Sequence, residues 1–257
     1  MSGLSVVVIA KNEAGRLASC LESVAWADEI IVVDDESTDA TPDVARRFTD
    51  KVTVRRLDDF SRQKQFGVDQ AQGPWVLSLD ADERVPPELA QEIRQVIAQE
   101  TPYAAFRIWC KTFYMGKWIR HGNWYVSIVR LFRKDRARFN GRLVHETLDV
   151  EGEIGFLKSC FLHDSYASIE EHMEKLNLYT TLDARVFFGA GRRIRGAKAL
   201  TAFVLKPVYV FLRKYVWHAA FLDGWEGLLI SWMTAFNVFI THMKLWEMTK
   251  KEAKERP

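Results

Sequence analysis

Apolar residues in this chain fall in short unbroken runs, separated by stripes at helical spacing. Leu4–Ile9 (LSVVVI) is continuous and β-branched, which predicts a strand buried on both faces of a parallel sheet. Leu17, Cys20, Leu21 and Val24 then recur with helical period. Glu29–Asp34 (EIIVVD) is a second buried strand, ending in acids. Thr41-Pro42 predicts a helix start, with Thr41 as N-cap and Val44, Ala45 and Phe48 on the apolar side. Lys51–Leu57 reads as a third, more polar strand and 61–72 as a helix. Gly73-Pro74 reads as a turn, and Trp75–Asp80 (WVLSLD) as a fourth strand, again ending in an acid. Four strands alternate with three helices, the grammar of a right-handed, doubly wound α/β sheet.

The pattern then changes. One more helix follows Pro86-Pro87, with Leu89, Ile93, Val96 and Ile97 on one side. Tyr103–Trp109 and Val126–Phe132 predict strands of a mixed second half, joined by an aromatic, basic loop from Phe113 to Tyr125. In that loop Trp118, Trp124 and Tyr125, flanked by Lys117, Arg120 and His121, could offer flat faces to a sugar, although each ring taken singly suits a core as well. A helix is expected over 168–187 through Ile169, Met173, Leu176, Tyr179, Leu182 and Val186. From Gly189 to His218 there are seven Lys/Arg and no acid, interleaved with apolar runs, and Gly227–Met243 carries no formal charge over 17 residues.

Charge sharpens that division. The 257 residues carry 36 Lys/Arg and 34 Asp/Glu, a net charge of +2. Residues 189–257 hold 12 of the cations and five of the acids, leaving 24 and 29 for residues 1–188. The basic tail therefore predicts an anionic partner. Its cations are embedded in apolar sequence, which favours anionic lipid head groups and argues against nucleic acid. Packing on the rest of the chain, or a homo-oligomer interface, is the other use such helices have. Cys20, Cys110 and Cys160 form neither a disulfide framework nor a metal pattern, and Cys20 falls on an apolar helical stripe. No charged leader precedes the first strand, so no signal peptide is expected and a reduced, cytoplasmic setting fits best.

Candidate chemistry collects at strand ends, where open α/β sheets bind ligands. The first strand is followed by Lys11-Asn12-Glu13, the second by Asp34-Asp35-Glu36-Ser37, and the fourth by Asp80-Ala81-Asp82-Glu83. Asp80-Ala81-Asp82 has the DxD form. Carboxylates alone would repel a diphosphate, so a divalent cation, Mg²⁺ or Mn²⁺, is the physical resolution. A helix cap is the structural alternative for Asp82. Paired acids also occur in phosphorylatable receiver domains, but there they follow the first strand, and here they follow the second.

Three motifs in order, Ser5–Glu13 (SVVVIAKNE), Ile31–Asp39 (IVVDDESTD) and Leu77–Glu83 (LSLDADE), resemble the family-2 inverting glycosyltransferases of GT-A fold. Arg130–Arg133 (RLFR) and Gly141–Glu146 (GRLVHE) are similar to a bacterial branch that adds glucose to the inner-core heptose of lipopolysaccharide. The resemblance implies a Rossmann-like, mostly parallel central sheet with flanking helices, over a catalytic domain of residues 1–188. Residues 1–100 would form its nucleotide-sugar half and 101–188 its acceptor half, followed by C-terminal amphipathic helices over 189–257. It implies that Ala10, Asn12, Glu13 and Asp35 border the base and ribose of a UDP-sugar donor. Lys64, where the family carries Arg, would face the diphosphate; Asp80 would lie near ribose or metal, and Asp82 would be the direct metal ligand. An inverting transfer needs a base for the acceptor hydroxyl. The branch places Glu146 in that role, with His145 as competitor and Asp164 as a further carboxylate. The partners implied are a nucleotide-sugar donor, a glycolipid acceptor and, through 189–248, an anionic membrane at its cytoplasmic face. A polyprenyl-phosphate or exopolysaccharide acceptor, or a non-catalytic nucleotide-binding scaffold, are the rival readings.

Overall fold

The computed structural model describes residues 3–141 and 147–255. The expected alternation is present: β1 (Leu4–Ala10), α1 (Ala14–Ser23), β2 (Glu29–Asp34), α2 (Thr41–Ala45), β3 (Val52–Val54), α3 (Phe60–Gln70) and β4 (Trp75–Asp80). β3, β2, β1 and β4 lie side by side and parallel. There follow β5 (Glu83–Arg84), α4 (Pro87–Ala98), β6 (Tyr103–Tyr114), β7 (Lys117–Trp118), β8 (Val126–Arg133), β9 (Ala137–Phe139), β10 (Leu148–Val150) and β11 (Glu153–Tyr166). β8 joins β4 antiparallel and extends the sheet through β6 and β11 to β5. The result is an α/β fold with a mixed central sheet whose first half is wholly parallel.

Both faces of that first half are covered, which explains its unbroken apolar runs. On one side Val6, Val8, Leu77 and Leu79 pack with Leu17 and Leu21 of α1 and Leu89 and Ile93 of α4. On the other, Val7, Ile31, Val33 and Val76 pack with Val68 of α3. Gly67 lets α3 approach closely, since a Cβ there would sit 2.4 Å from Val7 Cγ1. Cys20 is fully buried on the α1 side.

Two local expectations are corrected. The third strand is three residues long: after Arg55 N donates to Asp34 O at 2.8 Å, Leu57 N turns to the Asp35 carboxylate at 2.7 Å. Thr41 is not the cap of α2: Ala40 precedes the helix, and the Thr41 hydroxyl accepts from Glu13 N at 2.7 Å and donates to Asp39.

Contacts divide the chain into two compact units, residues 1–111 with 126–165, and residues 112–125 with 166–257. The second is helical. α5 (Ile169–Gly189) starts at Ser168, whose hydroxyl accepts from Glu171 N at 3.1 Å. Although the sequence groups it with residues 1–188, α5 packs on α8 (Gly224–Glu255) in this unit. Lys244 of α8 donates to Asn177, Thr180 and Thr181 of α5. Between them runs a helical rod: α6 (Lys198–Leu200), a π-helical stretch Thr201–Leu205, α7 (Lys206–Leu212) and a second π-helical stretch Arg213–Trp217. A 3₁₀ turn, Ala220–Asp223, leads into α8. Among the described residues, Ala220–Ala253 is long and apolar enough to cross a membrane by length and composition, and 33% of its most apolar window is buried within the protein.

Candidate active site

Parallel register aligns the carboxyl ends of the central strands. Ala10 lies opposite Asp34, and Ile9 opposite Asp80. Asp34 and Asp80 are therefore two strand spacings apart, about 10 Å. The loops after β1 and β2 are tied together. Asn12, at φ +53°, accepts Thr38 N on its side-chain oxygen at 2.8 Å, and its own N–H donates to Ser37 Oγ at 2.8 Å. Asp35 is buried and pairs with Lys11 Nζ at 2.7 Å. Glu13 binds Arg16 at 2.7 Å, and Arg16 also donates to Asp164 O. Ala10, Asn12, Glu13 and Asp35 thus belong to one rim of cross-linked loops. Asp34 lies beneath it, with its Oδ2 accepting Ser37 N and its buried Oδ1 without a partner among the described residues.

β4 ends in an ionic network. The Asp80 carboxylate takes Lys64 Nζ at 2.9 Å on one oxygen and Arg130 Nη2 at 2.8 Å on the other. Lys64 and Arg130 are 4% and 7% exposed, so both cations depend on the carboxylates that face them. Burial opposes ionisation of Asp80, but the charges of Lys64 and then Arg130 outweigh it and hold the carboxyl well below its usual range. Arg130 also binds Glu83, which accepts Asp80 N at 3.0 Å. Burial is the largest influence on Glu83 and pushes it up to about 7; the Arg130 charge opposes this and the Asp80 charge adds to it. Lys64, read in the sequence as a cation for the diphosphate, is thus already engaged by Asp80.

Asp82 stands apart from that pair. Its Oδ2 is 3.6 Å from His163 Nε2, and Asp164 N donates to Asp82 O at 2.9 Å. Burial lowers the basicity of His163, but contact with Asp82 and then Cys110 prevails and raises it well above the usual imidazole value. His163, Arg130 and Glu83 were not picked as site residues in the sequence. The signal for His163 is visible only in pairing, because β11 runs antiparallel to β5 with His163 opposite Glu83.

Asp82 fits a divalent cation in donor type, while His163, raised in basicity by Asp82, is its ion-pair partner. A carboxylate suits Mg²⁺ or Mn²⁺, and such ions need one or two protein ligands when phosphate oxygens supply the rest. Among the described residues no three His, Cys, Asp or Glu converge as a complete cage. Asp80 is the poorer ligand, because both of its oxygens already hold cations. Glu146 and His145, the base candidates, lie outside the described residues.

The sequence model of Glycosyl transferase family 2 matches residues 5–157, more than half of the chain. The chain belongs to that family. An uncharacterized glycosyltransferase of Rickettsia typhi is 29% identical, over 98% of this chain and 89% of its own length. The lipopolysaccharide core biosynthesis glycosyltransferase LpsC of Rhizobium meliloti is 28% identical, over 99% of this chain and 95% of its own. S. aureus TarS in complex with UDP-GlcNAc is 17% identical with a TM-score of 0.47, over 97% of this chain and 83% of that one. In this glycosyltransferase, the matched span contains the whole parallel half of the sheet, the Asp80 network and Asp82.

Proposed function

We propose that this glycosyltransferase moves a sugar, glucose, with inversion from a UDP-sugar to a lipid-anchored glycan at the cytoplasmic face of the membrane. The acceptor class is the heptose inner core of lipopolysaccharide. The observation that carries this reading is the division of labour at the end of β4. Asp80 is saturated by Lys64 and Arg130, while Asp82, two residues on, faces His163. In further support, LpsC, similar over nearly the whole chain, is named for lipopolysaccharide core biosynthesis.

Asp82, positioned by His163, would hold the cation; when bound, Mg²⁺ or Mn²⁺ would neutralise charge on the departing diphosphate. Asp35 and the loop from Ala10 to Glu13 border the nucleoside. Lys64, held in place by Asp80, faces the diphosphate. Glu146 accepts the proton of the acceptor hydroxyl as it attacks the anomeric carbon, with His145 as the alternative base.

The test is transfer by the purified enzyme from a panel of UDP-sugars to heptose-containing core oligosaccharide and to polyprenyl phosphate, with and without chelator. Transfer to the heptose core that stops with EDTA and returns with Mn²⁺ is expected. Transfer to polyprenyl phosphate alone would move the acceptor assignment, and transfer untouched by chelator would refute the role given to Asp82. Glu146→Gln should retain UDP-sugar binding and lose turnover; loss of donor binding instead would remove Glu146 from the base role.

A further inference from the structure

The second unit carries an apolar face that its own packing leaves uncovered. Along the rod 198–217, Leu200, Val204, Val208, Leu212 and Val216 recur at helical spacing and are each 47–60% exposed. Ala202 and Phe203, on the other side, pack toward α8 and α5. Trp217 at its end and Trp225 and Trp232 of α8 are 84%, 77% and 58% exposed, and Trp232 packs on Phe211 of the rod at 4.8 Å between ring centroids. Tyr209, Leu212, Arg213, Val216 and Trp217 line a shallow groove of about 470 Å³ on this face. Isolated exposed apolar residues are ordinary, but an exposed apolar stripe accompanied by three exposed indoles is not.

Charge identifies the occupant. No acid occurs from 189 to 218, and Arg195, Lys198 and Arg213 are exposed with no ion pair among the described residues. Exposed cations just before and within an apolar helical stretch, with exposed indoles beyond it, match the boundary between acyl chains and anionic head groups. A crossing by α8 matches less well. Ser231, Thr241, His242 and Thr249 are buried along it, so its sides toward α5 and α7 are partly polar and engaged within the protein. Its exposed indoles are grouped at its start.

We propose that the outer face of 198–217, with the first turns of α8, lies in the plane of an anionic bilayer and inserts Trp217 and Trp225 into it, without α8 crossing. The proposal rests on the lipid-anchored acceptor proposed above and names the surface that meets the lipid.

The experiment uses the full chain with sedimenting vesicles of phosphatidylcholine, with and without phosphatidylglycerol. Three unpaired cations near the surface predict on the order of a hundredfold tighter binding to the anionic vesicles. The double variant W217S/W225S should weaken binding at least about tenfold, from the apolar area withdrawn. R195E/K198E/R213E should abolish the preference for phosphatidylglycerol. Circular dichroism of both variants should match the parent, since the replaced side chains are exposed. Brominated lipids should quench indole fluorescence more strongly with bromine near the head groups than near the bilayer centre. Equal binding to both vesicles, unchanged binding of W217S/W225S, or strongest quenching at the bilayer centre would each overturn the proposal. So would a lipid-free dimer that W217S/W225S converts to monomer while the parent ignores vesicles, which would make the face a contact between copies. Core oligosaccharide freed of lipid separates the two readings: transfer without vesicle binding removes the surface and keeps the function. Vesicle binding without transfer to any acceptor does the reverse.

Discussion

Asp80 faces two buried cations, Lys64 and Arg130, so removing its charge leaves them facing a neutral amide. Asp80→Asn should therefore cost about 2 kcal/mol of stability, reduced from the full buried-pair value because the carboxylate has one solvent-facing side. Asp82→Asn weakens the contact with His163 and leaves the Lys64 and Arg130 pairs of Asp80 in place. It should leave stability within about 1 kcal/mol of the parent and remove nearly all transfer. Urea unfolding beside a UDP-sugar assay reads both at once, and equal destabilisation by the two would contradict the separation drawn between them. Sequence showed the DxD pair as a unit; it did not show that one member is spent on internal cations. That depends on Arg130, fifty residues away, lying in β8 next to β4.

At the scale of elements, close helix-to-sheet approach matters most at α3, because Lys64 is three residues from Gly67. Gly67→Ala places a methyl 2.4 Å from Val7 Cγ1. It should destabilise by about 1–3 kcal/mol through overpacking and lower transfer by displacing Lys64. Normal stability and activity would show that α3 has room to shift. In α5, His172 is buried, 3.1 Å from the Tyr114 hydroxyl and stacked on Tyr166. Burial pulls it down to about 4, the Lys175 charge adding and the Glu171 charge opposing. The fold thus refuses a proton that the unfolded chain accepts. The contribution is complete above about pH 6.5 and shrinks as pH falls from there toward 4, by at most about 3 kcal/mol. His172→Gln should flatten this part of the stability profile in denaturant titrations, and an unchanged difference between pH 7 and 5 would exclude it. The parallel strands were legible because burial on both faces leaves continuous apolar runs. β11 was not: Ile154 and Phe156 are exposed while Leu157 and Phe161 are buried, and polar residues interrupt the run. Such a strand is defined by its partners rather than by its own pattern.

For the whole molecule, the tail and α5 are one packed unit. Truncation after residue 188 would uncover Ala184 and remove Lys244 from its four acceptors on α5. Backbone amides in 169–189 should then lose hydrogen-exchange protection by several orders of magnitude, and the truncated chain should aggregate. Retained protection would mean that α5 is held by something other than α8. Side-chain substitutions on the exposed face are the cleaner probe of lipid binding for the same reason.

What sequence determined by itself was local and periodic. It specified the parallel half of the sheet, the three strand ends that carry acids, the family motifs, and the segregation of cations into an apolar tail. Each is written in neighbouring residues, since burial on both faces and helical period are short-range signals. Tertiary structure alone decided which charges meet. Lys64 with Asp80, Arg130 with Asp80 and Glu83, and His163 with Asp82 join segments 16 to 81 positions apart. It also decided which apolar residues of the tail find partners and which remain outside. Electrostatic energy depends on distance in space and on burial, and chain order encodes neither.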